Sequence, residues 1–261
     1  MTAGLGTTTS DASFENSVAF ITGGARGFGL AFATALAQRG ASVALADLDV
    51  KAAGLAADEL VSAGHRAMAV QCNVADEDSV AAAVAQVTER FGGIDHLINN
   101  AGLHLTRYNR PFVEQPLDDL RALFDVNVIG VVLCTLACRP VMAERGGGTV
   151  LNISSMASHS SSSPYGVSKL AVRGLTLAFA QELSAHGIRV NAISPGLQAT
   201  ESAMADMPEA SVRHIVDEMQ MIHRLGTETD IVEAMLYLCS DRAGFVTGVT
   251  LPVTGGAMLG I

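Results

Sequence analysis

Short apolar runs rich in Val, Ile, Leu and Ala recur along the chain, separated by longer alanine-rich stretches. Such runs predict strands that are buried on both faces of a sheet. The longer stretches predict helices, and the abundant alanine and glycine suit helices packed closely on a sheet. The predicted strands cover residues 18–22, 42–46, 67–71, 94–98, 149–153, 188–193 and 250–253. The predicted helices cover residues 30–39, 51–63, 76–91, 117–144, 164–186 and 229–239.

The regular alternation of strands and helices indicates the fold class. Parallel strands are joined by crossover connections, usually helices, so this order predicts a parallel sheet with helices on both faces. We therefore expect an α/β fold, a single-domain doubly wound parallel sheet of the Rossmann type, over residues 14–261. Residues 1–13 are expected to form a flexible tail, and the Met-rich stretch 197–225 a lid over the substrate.

Composition and charge exclude several classes of protein. Hydrophobic residues make up 49% of the chain and charged residues 16%, which suits a buried sheet and not a disordered chain. The net charge of −10 disfavours a nucleic-acid partner, whose phosphates would be repelled. No apolar run is expected to reach the ~20 residues of a membrane span, and no signal-peptide pattern is found. We therefore expect a soluble, cytoplasmic protein without a membrane partner.

The cysteines are too irregularly spaced to form a recognisable disulfide or metal motif. They are expected to be small apolar core residues, and no metal site is predicted. They are Cys72, Cys134, Cys138 and Cys239.

A glycine-rich segment, Gly23-Gly24-Ala25-Arg26-Gly27-Phe28-Gly29, follows the first predicted strand and precedes a helix. Glycines let the backbone approach a pyrophosphate, and a helix N-terminus offers free N–H groups and the positive end of its dipole. The spacing is T-G-x-x-x-G-x-G and not G-x-G-x-x-G, and alone it is also compatible with a tight turn. Its position after the first strand favours a dinucleotide site.

Asp47 ends the second predicted strand. An acid at this position can accept hydrogen bonds from an adenosine ribose and repel a 2′-phosphate, which favours NAD over NADP. Arg26 argues weakly for NADP because it could pair with that phosphate. The alternative interpretation is that Asp47 caps the following helix.

Tyr165 and Lys169 are four residues apart and therefore share one face of a helix. Lowering a tyrosine pKa from about 10 to about 7 requires about 4 kcal/mol. A cation about 4 Å away at an effective dielectric constant of about 20 supplies about that amount. The lysine can thus make this tyrosine a general base, although the spacing alone is a weak signal.

Further short motifs occur in a fixed order with these. The set is Thr22-Gly23-x-x-x-Gly27-x-Gly29, Asn99-Asn100-Ala101-Gly102, Asn127, Ser155, Tyr165-x-x-x-Lys169 and Pro195-Gly196. With this set the chain resembles the short-chain dehydrogenase/reductase family over roughly residues 15 to 258, and is most similar to its NAD-dependent alcohol and hydroxysteroid dehydrogenases. The resemblance implies an NAD-dependent oxidoreductase that interconverts a secondary alcohol and a ketone, with a bulky apolar substrate favoured.

The resemblance also implies a role for each catalytic residue. Tyr165 would be the general acid/base, and Lys169 would lower its pKa and hold the nicotinamide ribose. Ser155 would bind the substrate oxygen. Asn127 would hold a water molecule that conducts protons from Lys169 to solvent.

The same resemblance implies the binding residues. The glycines would face the pyrophosphate, Asp47 the ribose, Asn73 and Val74 the adenine, and the segment after Pro195 the nicotinamide. The cofactor set is Thr22, Gly23, Arg26, Gly27, Phe28, Gly29, Asp47, Leu48, Asn73, Val74, Asn100, Ala101, Gly102, Tyr165, Lys169, Pro195, Gly196 and Thr200. The substrate set is Leu103, His104, Met156 and Leu197.

The chain departs from the family pattern in several places. The segment from Ser155 to Tyr165 is shorter than usual, so Ser154 and the serines at 160–163 compete with Ser155 for the oxygen-binding role. Asn73 replaces a frequent aspartate, but its amide oxygen can still accept from adenine. Two further departures are Gln198, in place of an aliphatic residue, and Thr254, in place of an acid.

Partners and alternatives complete the interpretation. The uncharged C-terminal end, 248–261, could pack on another subunit, and the resemblance makes a homotetramer expected, with a dimer possible. An NADPH-dependent carbonyl or 3-ketoacyl reductase is the runner-up, which Asp47 disfavours. A catalytically quiet dinucleotide-binding protein is the other alternative, disfavoured by the complete set of Ser155, Tyr165 and Lys169. The methionines at 204, 207, 219 and 221 suit an adaptable lid or ordinary helix packing equally well.

Overall fold

A seven-stranded parallel sheet, in the order β3-β2-β1-β4-β5-β6-β7, forms the centre of the protein. The computed structural model describes residues 13–104, 106–160, 162–199 and 207–257. The predicted tail, apart from Ser13, lies outside these residues, as do Thr200 and Met204. The strands are β1 (Val18–Thr22), β2 (Ser42–Asp47), β3 (Ala67–Gln71), β4 (His96–Asn99), β5 (Gly148–Ile153), β6 (Ile188–Pro195) and β7 (Thr250–Val253).

Helices cover both faces of the sheet, which confirms the predicted Rossmann-type fold. They are α1 (Gly27–Ala37), α2 (Val50–Ser62), α3 (Glu77–Phe91), α4 (Leu117–Phe124), α5 (Gly130–Glu144), α6 (Ala157–Ser160), α7 (Pro164–Glu182), α8 (Glu209–Arg213) and α9 (Glu228–Cys239). One apolar cluster joins the sheet to α1, α2 and α9 through residues such as Phe32 and Met235. A second joins the opposite face to α3, α5 and α7 through residues such as Val80 and Phe179. Both layers bury apolar side chains fully, as a doubly wound sheet requires.

The helical run Leu117–Glu144 corrects one expectation. By length and composition it could cross a membrane, with a mean hydropathy of 1.8 in its most apolar window, 39% of which is buried. A core helix of a water-soluble protein passes the same test, so this is weak evidence for a membrane span. Here Cys134, Cys138 and Met142 of α5 are buried against the sheet.

The strand order reverses at β1, which pairs with β2 on one side and β4 on the other. In such sheets the connections leave in opposite directions at this point, and a crevice opens at the carboxyl ends of the two strands. Thr22 ends β1 and Asn99 ends β4. The crevice therefore lies where the glycine-rich segment and the Asn99–Gly102 segment meet.

All four cysteines are free and buried, which confirms the prediction that they are core residues. Cys72 and Cys134 are hydrogen-bonded to each other, and this bond lowers the pKa of Cys72. Burial raises the pKa of Cys138.

Candidate active site

The glycine-rich segment turns directly from β1 into α1. Gly23 and Gly27 adopt left-handed φ angles of +64° and +53°, which favour glycine. A Cβ on Gly29 would lie 2.0 Å from the carbonyl oxygen of Gly23, so any side chain there would clash. A Cβ on Gly27 would meet nothing within 4 Å, so the turn leaves open space at the start of the helix.

The N-terminus of α1 lacks a side-chain cap. Its N-cap residue, Arg26, makes no capping hydrogen bond. The same is true of α4, α5 and α8, whereas α2, α3, α7 and α9 are each capped by a side chain. Uncapped N–H groups at the positive end of a helix are a ready anion site. The open space at Gly27 and the uncapped helix end therefore fit the pyrophosphate of a dinucleotide.

Asn100 and Thr22 join the two sides of the crevice. The Asn100 amide Nδ2 donates to the carbonyl oxygens of Thr22 at 3.0 Å and Gly23 at 3.1 Å. In return, Thr22 Oγ1 accepts from the backbone N–H groups of Asn100 and Ala101, both at 3.0 Å. These reciprocal bonds hold the glycine-rich turn in a fixed position.

Asp47 lies at the end of β2, beside the same turn. One carboxylate oxygen accepts from the backbone N–H of Ala25 at 3.0 Å, and the other from that of Asp49 at 3.0 Å. The alternative that Asp47 caps α2 is wrong, because Asp49 is the N-cap and accepts from the N–H of Ala52 at 3.1 Å. The adjacent Leu48 is 67% exposed.

The predicted adenine side is formed by Asn73 and Val74. Asn73 Oδ1 accepts from the backbone N–H of Ala75 at 3.1 Å, which leaves one lone pair for a ligand. Val74 is buried against Gly130, where a Cβ would lie 2.9 Å from the valine side chain. This close approach fixes the segment after β3 against the start of α5.

Tyr165 and Lys169 lie one turn apart near the start of α7, and the two side chains are neighbours. The Lys169 Nζ atom is 5.9 Å from the centroid of the Tyr165 ring. It also donates to the carbonyl oxygen of Ile153 at 2.9 Å. Burial lowers the pKa of Lys169 to about 8, because a buried ammonium loses its hydration.

The Tyr165 phenol differs from the sequence expectation. Burial raises its pKa above the ordinary value, and a hydrogen bond with the Ser155 side chain opposes this rise. The sequence predicts that Lys169 lowers the pKa of this phenol, whereas in the structure burial has the larger effect and raises it. The physical reason is that the loss of hydration of the phenolate exceeds the favourable contacts around it.

The serines that compete for the oxygen-binding role differ in their partners. Ser155 is hydrogen-bonded to the Tyr165 phenol. Ser154 instead donates to the carbonyl oxygen of Lys169 at 2.9 Å, and Ser163 caps α7. Ser160 is exposed on α6, and residue 161 lies outside the described ranges.

Asn127 lies in a π-helical turn, Asp125–Ile129, between α4 and α5, and is buried. Its Oδ1 accepts from the backbone N–H of Leu103 at 2.7 Å. Its Nδ2 donates to the carbonyl oxygen of Leu103 at 2.9 Å and to Ser168 Oγ at 3.1 Å. Such π-turns are frequent at functional sites because they reorient one side chain within a helix.

The predicted substrate residues differ in their exposure and partners. The backbone N–H of Met156 donates to the carbonyl oxygen of Pro195 at 2.8 Å, which joins the Ser155 segment to the end of β6. Leu197 is buried and Leu103 is half-buried. Burial of its imidazole, followed by the positive charges of Lys169 and Arg26, lowers the pKa of His104.

The two ends of the predicted lid meet beside β7, around a cavity of about 310 Å³. The buried amide of Gln198 occupies the space in which a Gly226 side chain would stand, 2.3 Å from its Cβ position. Gln220, also buried, donates to the carbonyl oxygen of Thr254 at 3.2 Å. Both glutamine Oε1 atoms lack a hydrogen-bond partner among the described residues.

Sequence reasoning missed several polar residues near the site. Asn152 accepts from Asn99 at 2.9 Å and donates to Thr176 at 2.9 Å, so a buried amide network crosses from β4 to α7. Ser168 was not singled out either. A polar residue inside an otherwise apolar strand or helix is the available signal, and Asn152 within β5 shows it most clearly.

Known proteins resemble this chain over nearly all of its length. Residues 23–258 match a family model described as Enoyl-(Acyl carrier protein) reductase. The chain is 38% identical over 246 residues to cis-4-hydroxycyclohexanecarboxylate dehydrogenase of Sinomonas cyclohexanicum, covering 93% of this chain and 97% of that protein. It is 36% identical over 248 residues to 3alpha-hydroxysteroid dehydrogenase of Mediterraneibacter gnavus, covering 93% and 97%. A solved 7 alpha-hydroxysteroid dehydrogenase, complexed with NADH and 7-oxo glycochenodeoxycholic acid, matches with a TM-score of 0.87 at 32% identity, covering 94% of this chain and 96% of that one.

Proposed function

The chain belongs to the short-chain dehydrogenase/reductase family of oxidoreductases, which act on hydroxyl and ketone groups, and we propose that it oxidises a bulky apolar secondary alcohol with NAD⁺, reversibly. One observation carries the proposal. The Ser155 hydroxyl is hydrogen-bonded to the Tyr165 phenol, with Lys169 one helical turn away. A hydroxyl that can donate a hydrogen bond to the substrate oxygen, a phenol that can carry a proton and a cation thus lie together beside a crevice suited to a dinucleotide.

In the proposed reaction an alcohol and NAD⁺ give a ketone, NADH and one proton. Ser155 holds the substrate oxygen, and ionised Tyr165 takes the hydroxyl proton. Lys169 holds the nicotinamide ribose and passes the proton on, with Asn127 at the exit. The cofactor, when bound, supplies the hydride acceptor and a positive charge that favours the phenolate.

Asp47 supports NAD as the cofactor. Its carboxylate lies beside the glycine-rich turn, held by the N–H of Ala25. A 2′-phosphate at this position would meet its negative charge. The matching hydroxysteroid dehydrogenase structure contains NADH, which agrees with this choice.

The substrate proposal follows from the apolar character of the predicted substrate residues. Leu103, Met156 and Leu197 would line the crevice, with residues 197–225 as the lid. The related dehydrogenases act, by their names, on a hydroxycyclohexanecarboxylate and on hydroxysteroids. A secondary hydroxyl on a saturated ring is therefore the favoured substrate class.

A second candidate is an NADPH-dependent reductase of carbonyl or ketoacyl groups. A 3-oxoacyl-(acyl-carrier-protein) reductase of Staphylococcus aureus, which is 34% identical to this chain over 245 residues, favours it. Asp47 argues against it. Comparison of the two cofactors on the same substrates distinguishes the two candidates.

We also propose a homotetramer in the cytoplasm. Four large apolar side chains on the π-turn, α5 and α7 are between 44% and 54% exposed, which is typical of subunit contacts. Free buried thiols suit a reducing compartment. The apolar residues are Ile129, Leu136, Leu170 and Leu177.

The test is a spectrophotometric screen of cyclic and steroidal secondary alcohols, run with NAD⁺ and with NADP⁺. We expect NADH formation on at least one ring alcohol and a clear preference for NAD⁺. Cofactor binding without turnover on the whole panel would instead support a catalytically quiet dinucleotide-binding protein.

A further inference from the structure

Ser168 joins the catalytic helix to Asn127. It lies in α7 between Tyr165 and Lys169 and is fully buried. Its Oγ donates to the carbonyl oxygen of Tyr165 at 2.8 Å. The same oxygen accepts from Asn127 Nδ2 at 3.1 Å.

The direction of these bonds follows from the single hydrogen on a hydroxyl group. Because Ser168 donates that hydrogen to Tyr165, it can only accept from Asn127. The NH₂ end of the Asn127 amide must therefore face α7, and its oxygen must face the other way. The two bonds with the Leu103 backbone require the same orientation, because the amide oxygen accepts from the N–H and the NH₂ group donates to the carbonyl oxygen. The amide is therefore held from both sides.

The oxygen that this arrangement orients faces Lys169 across Gly102. A Cβ placed on Gly102 would lie 3.3 Å from Asn127 Oδ1 and 3.3 Å from Lys169 Nζ. The absence of a side chain at Gly102 keeps these two polar groups within reach of one bridging water molecule. The position of Asn127 relative to Lys169 thus determines whether a proton can leave the lysine by this route.

We propose that Ser168 is a positioning residue, which fixes Asn127 to the catalytic helix so that Asn127 stays opposite Lys169 and holds the water molecule that takes the outgoing proton to solvent. The inference rests on the proposed function. In alcohol oxidation the proton passes from the substrate hydroxyl to Tyr165, then to Lys169, and then to water beside Asn127. Ser168 itself touches neither substrate nor cofactor in this scheme.

The chain offers a matched control, Thr176. This residue lies two turns further along α7, is fully buried, donates to the carbonyl oxygen of Val172 at 2.8 Å and accepts from Asn152 Nδ2 at 2.9 Å. Ser168→Ala and Thr176→Val each remove one hydroxyl that accepts from a buried asparagine. Only the first lies beside Tyr165 and Lys169.

The experiment measures kcat for alcohol oxidation as a function of buffer concentration, at constant pH and ionic strength. We expect Ser168→Ala to lower kcat by about tenfold or more, which is part of the roughly hundredfold to ten-thousandfold that general acid–base catalysis contributes. Added buffer should restore much of this loss, because small buffer molecules then carry the proton. Wild type and Thr176→Val should show no buffer dependence, and NADH affinity, followed by nucleotide fluorescence, should be the same in all three proteins.

Two results would overturn the inference. One is a wild-type kcat in Ser168→Ala, and the other is a low kcat that buffer does not raise, which would show a general structural defect. Circular dichroism and melting curves establish that each variant is folded. Absence of turnover in the wild type is a separate result, which would refute the proposed function and this inference with it.

Discussion

The carboxylate of Asp47 accepts a hydrogen bond from the backbone N–H of Ala25 at 3.0 Å. The acid that would bind the ribose and the turn that would bind the pyrophosphate are therefore one connected unit. A change at Asp47 affects both the charge at the ribose and the position of the turn.

Asp47→Ser should change the cofactor preference. Removing the negative charge relieves its repulsion of a 2′-phosphate, worth up to about 4 kcal/mol at contact distance and less in water. We expect the ratio of kcat/KM for NADP⁺ to that for NAD⁺ to rise by about tenfold to a hundredfold. Steady-state kinetics with both cofactors measure this ratio. Asp49→Ser is the control, because Asp49 caps α2 and should leave the ratio unchanged.

Tyr165→Phe should abolish turnover while the fold and the cofactor site persist. Loss of a general acid/base lowers rates by about a hundredfold to ten-thousandfold. We expect kcat to fall by at least about a hundredfold and the affinity for NADH to change little. Tyr237→Phe, on α9, is the matched control and should keep full activity. Retained activity in Tyr165→Phe would refute the role assigned to the phenol.

The ionisation of Tyr165 should depend on the cofactor. Because burial raises the pKa of Tyr165, the phenol of the free protein should ionise above its ordinary value of about 10. The positive charge of bound NAD⁺ should lower this pKa. Oxidation needs the phenolate, so activity should rise with pH. The pKa seen in kcat, which reports the complex with NAD⁺, should lie below the pKa seen in kcat/KM for NAD⁺, which reports the free protein.

Ultraviolet absorbance can follow this ionisation directly. The chain contains three tyrosines and no tryptophan, so the difference between wild type and Tyr165→Phe isolates one residue. The prediction fails if the Tyr165 signal in the free protein appears near neutral pH, or if NAD⁺ leaves it unmoved.

The lowered pKa of His96 should make the folded protein less stable in mild acid. Burial lowers the pKa of His96 to about 4, and its Nδ1 is bonded to Thr149 Oγ1 at 2.7 Å. An unfolded histidine has a pKa of about 6.5, so between these values the unfolded chain binds a proton that the folded chain excludes. The free energy of unfolding should thus fall as pH drops from about 6.5 to about 4, by about 2 kcal/mol between pH 7 and pH 5.

Urea unfolding at the two pH values measures this loss. His96→Asn should be less stable at pH 7, since it loses the edge contact with Phe14, but should lack this part of the pH dependence. His186→Asn, on the surface, should behave like the wild type. If His96→Asn loses as much unfolding free energy between the two pH values as the wild type does, other groups cause the effect.

The strands and most helices follow from the sequence because burial on both faces leaves an unbroken apolar signature, as in Val18–Thr22. The predicted start of α1, at residue 30, is three residues too late, because the helix begins at Gly27. Glycines suggest a loop, but here they occupy the first turn of a helix.

The site was less predictable than the fold. The π-turn at Asp125–Ile129 has no local signature, since it depends on bonds from Asn127 to Leu103, a residue distant in sequence. The raised pKa of Tyr165 depends on how deeply the phenol is buried, which residue spacing cannot report. The role proposed for Ser168 depends on the direction of two hydrogen bonds, which only coordinates provide.

The uncapped first turn of α1 would make the stability of the protein depend on the concentration of its nucleotide. A nucleotide that fills this helix end adds to the free energy of unfolding by mass action, in proportion to the logarithm of its concentration. Chains made when nucleotide is scarce would open more often and reach proteases sooner. The lifetime of the folded enzyme would thereby follow the supply of the coenzyme that it binds.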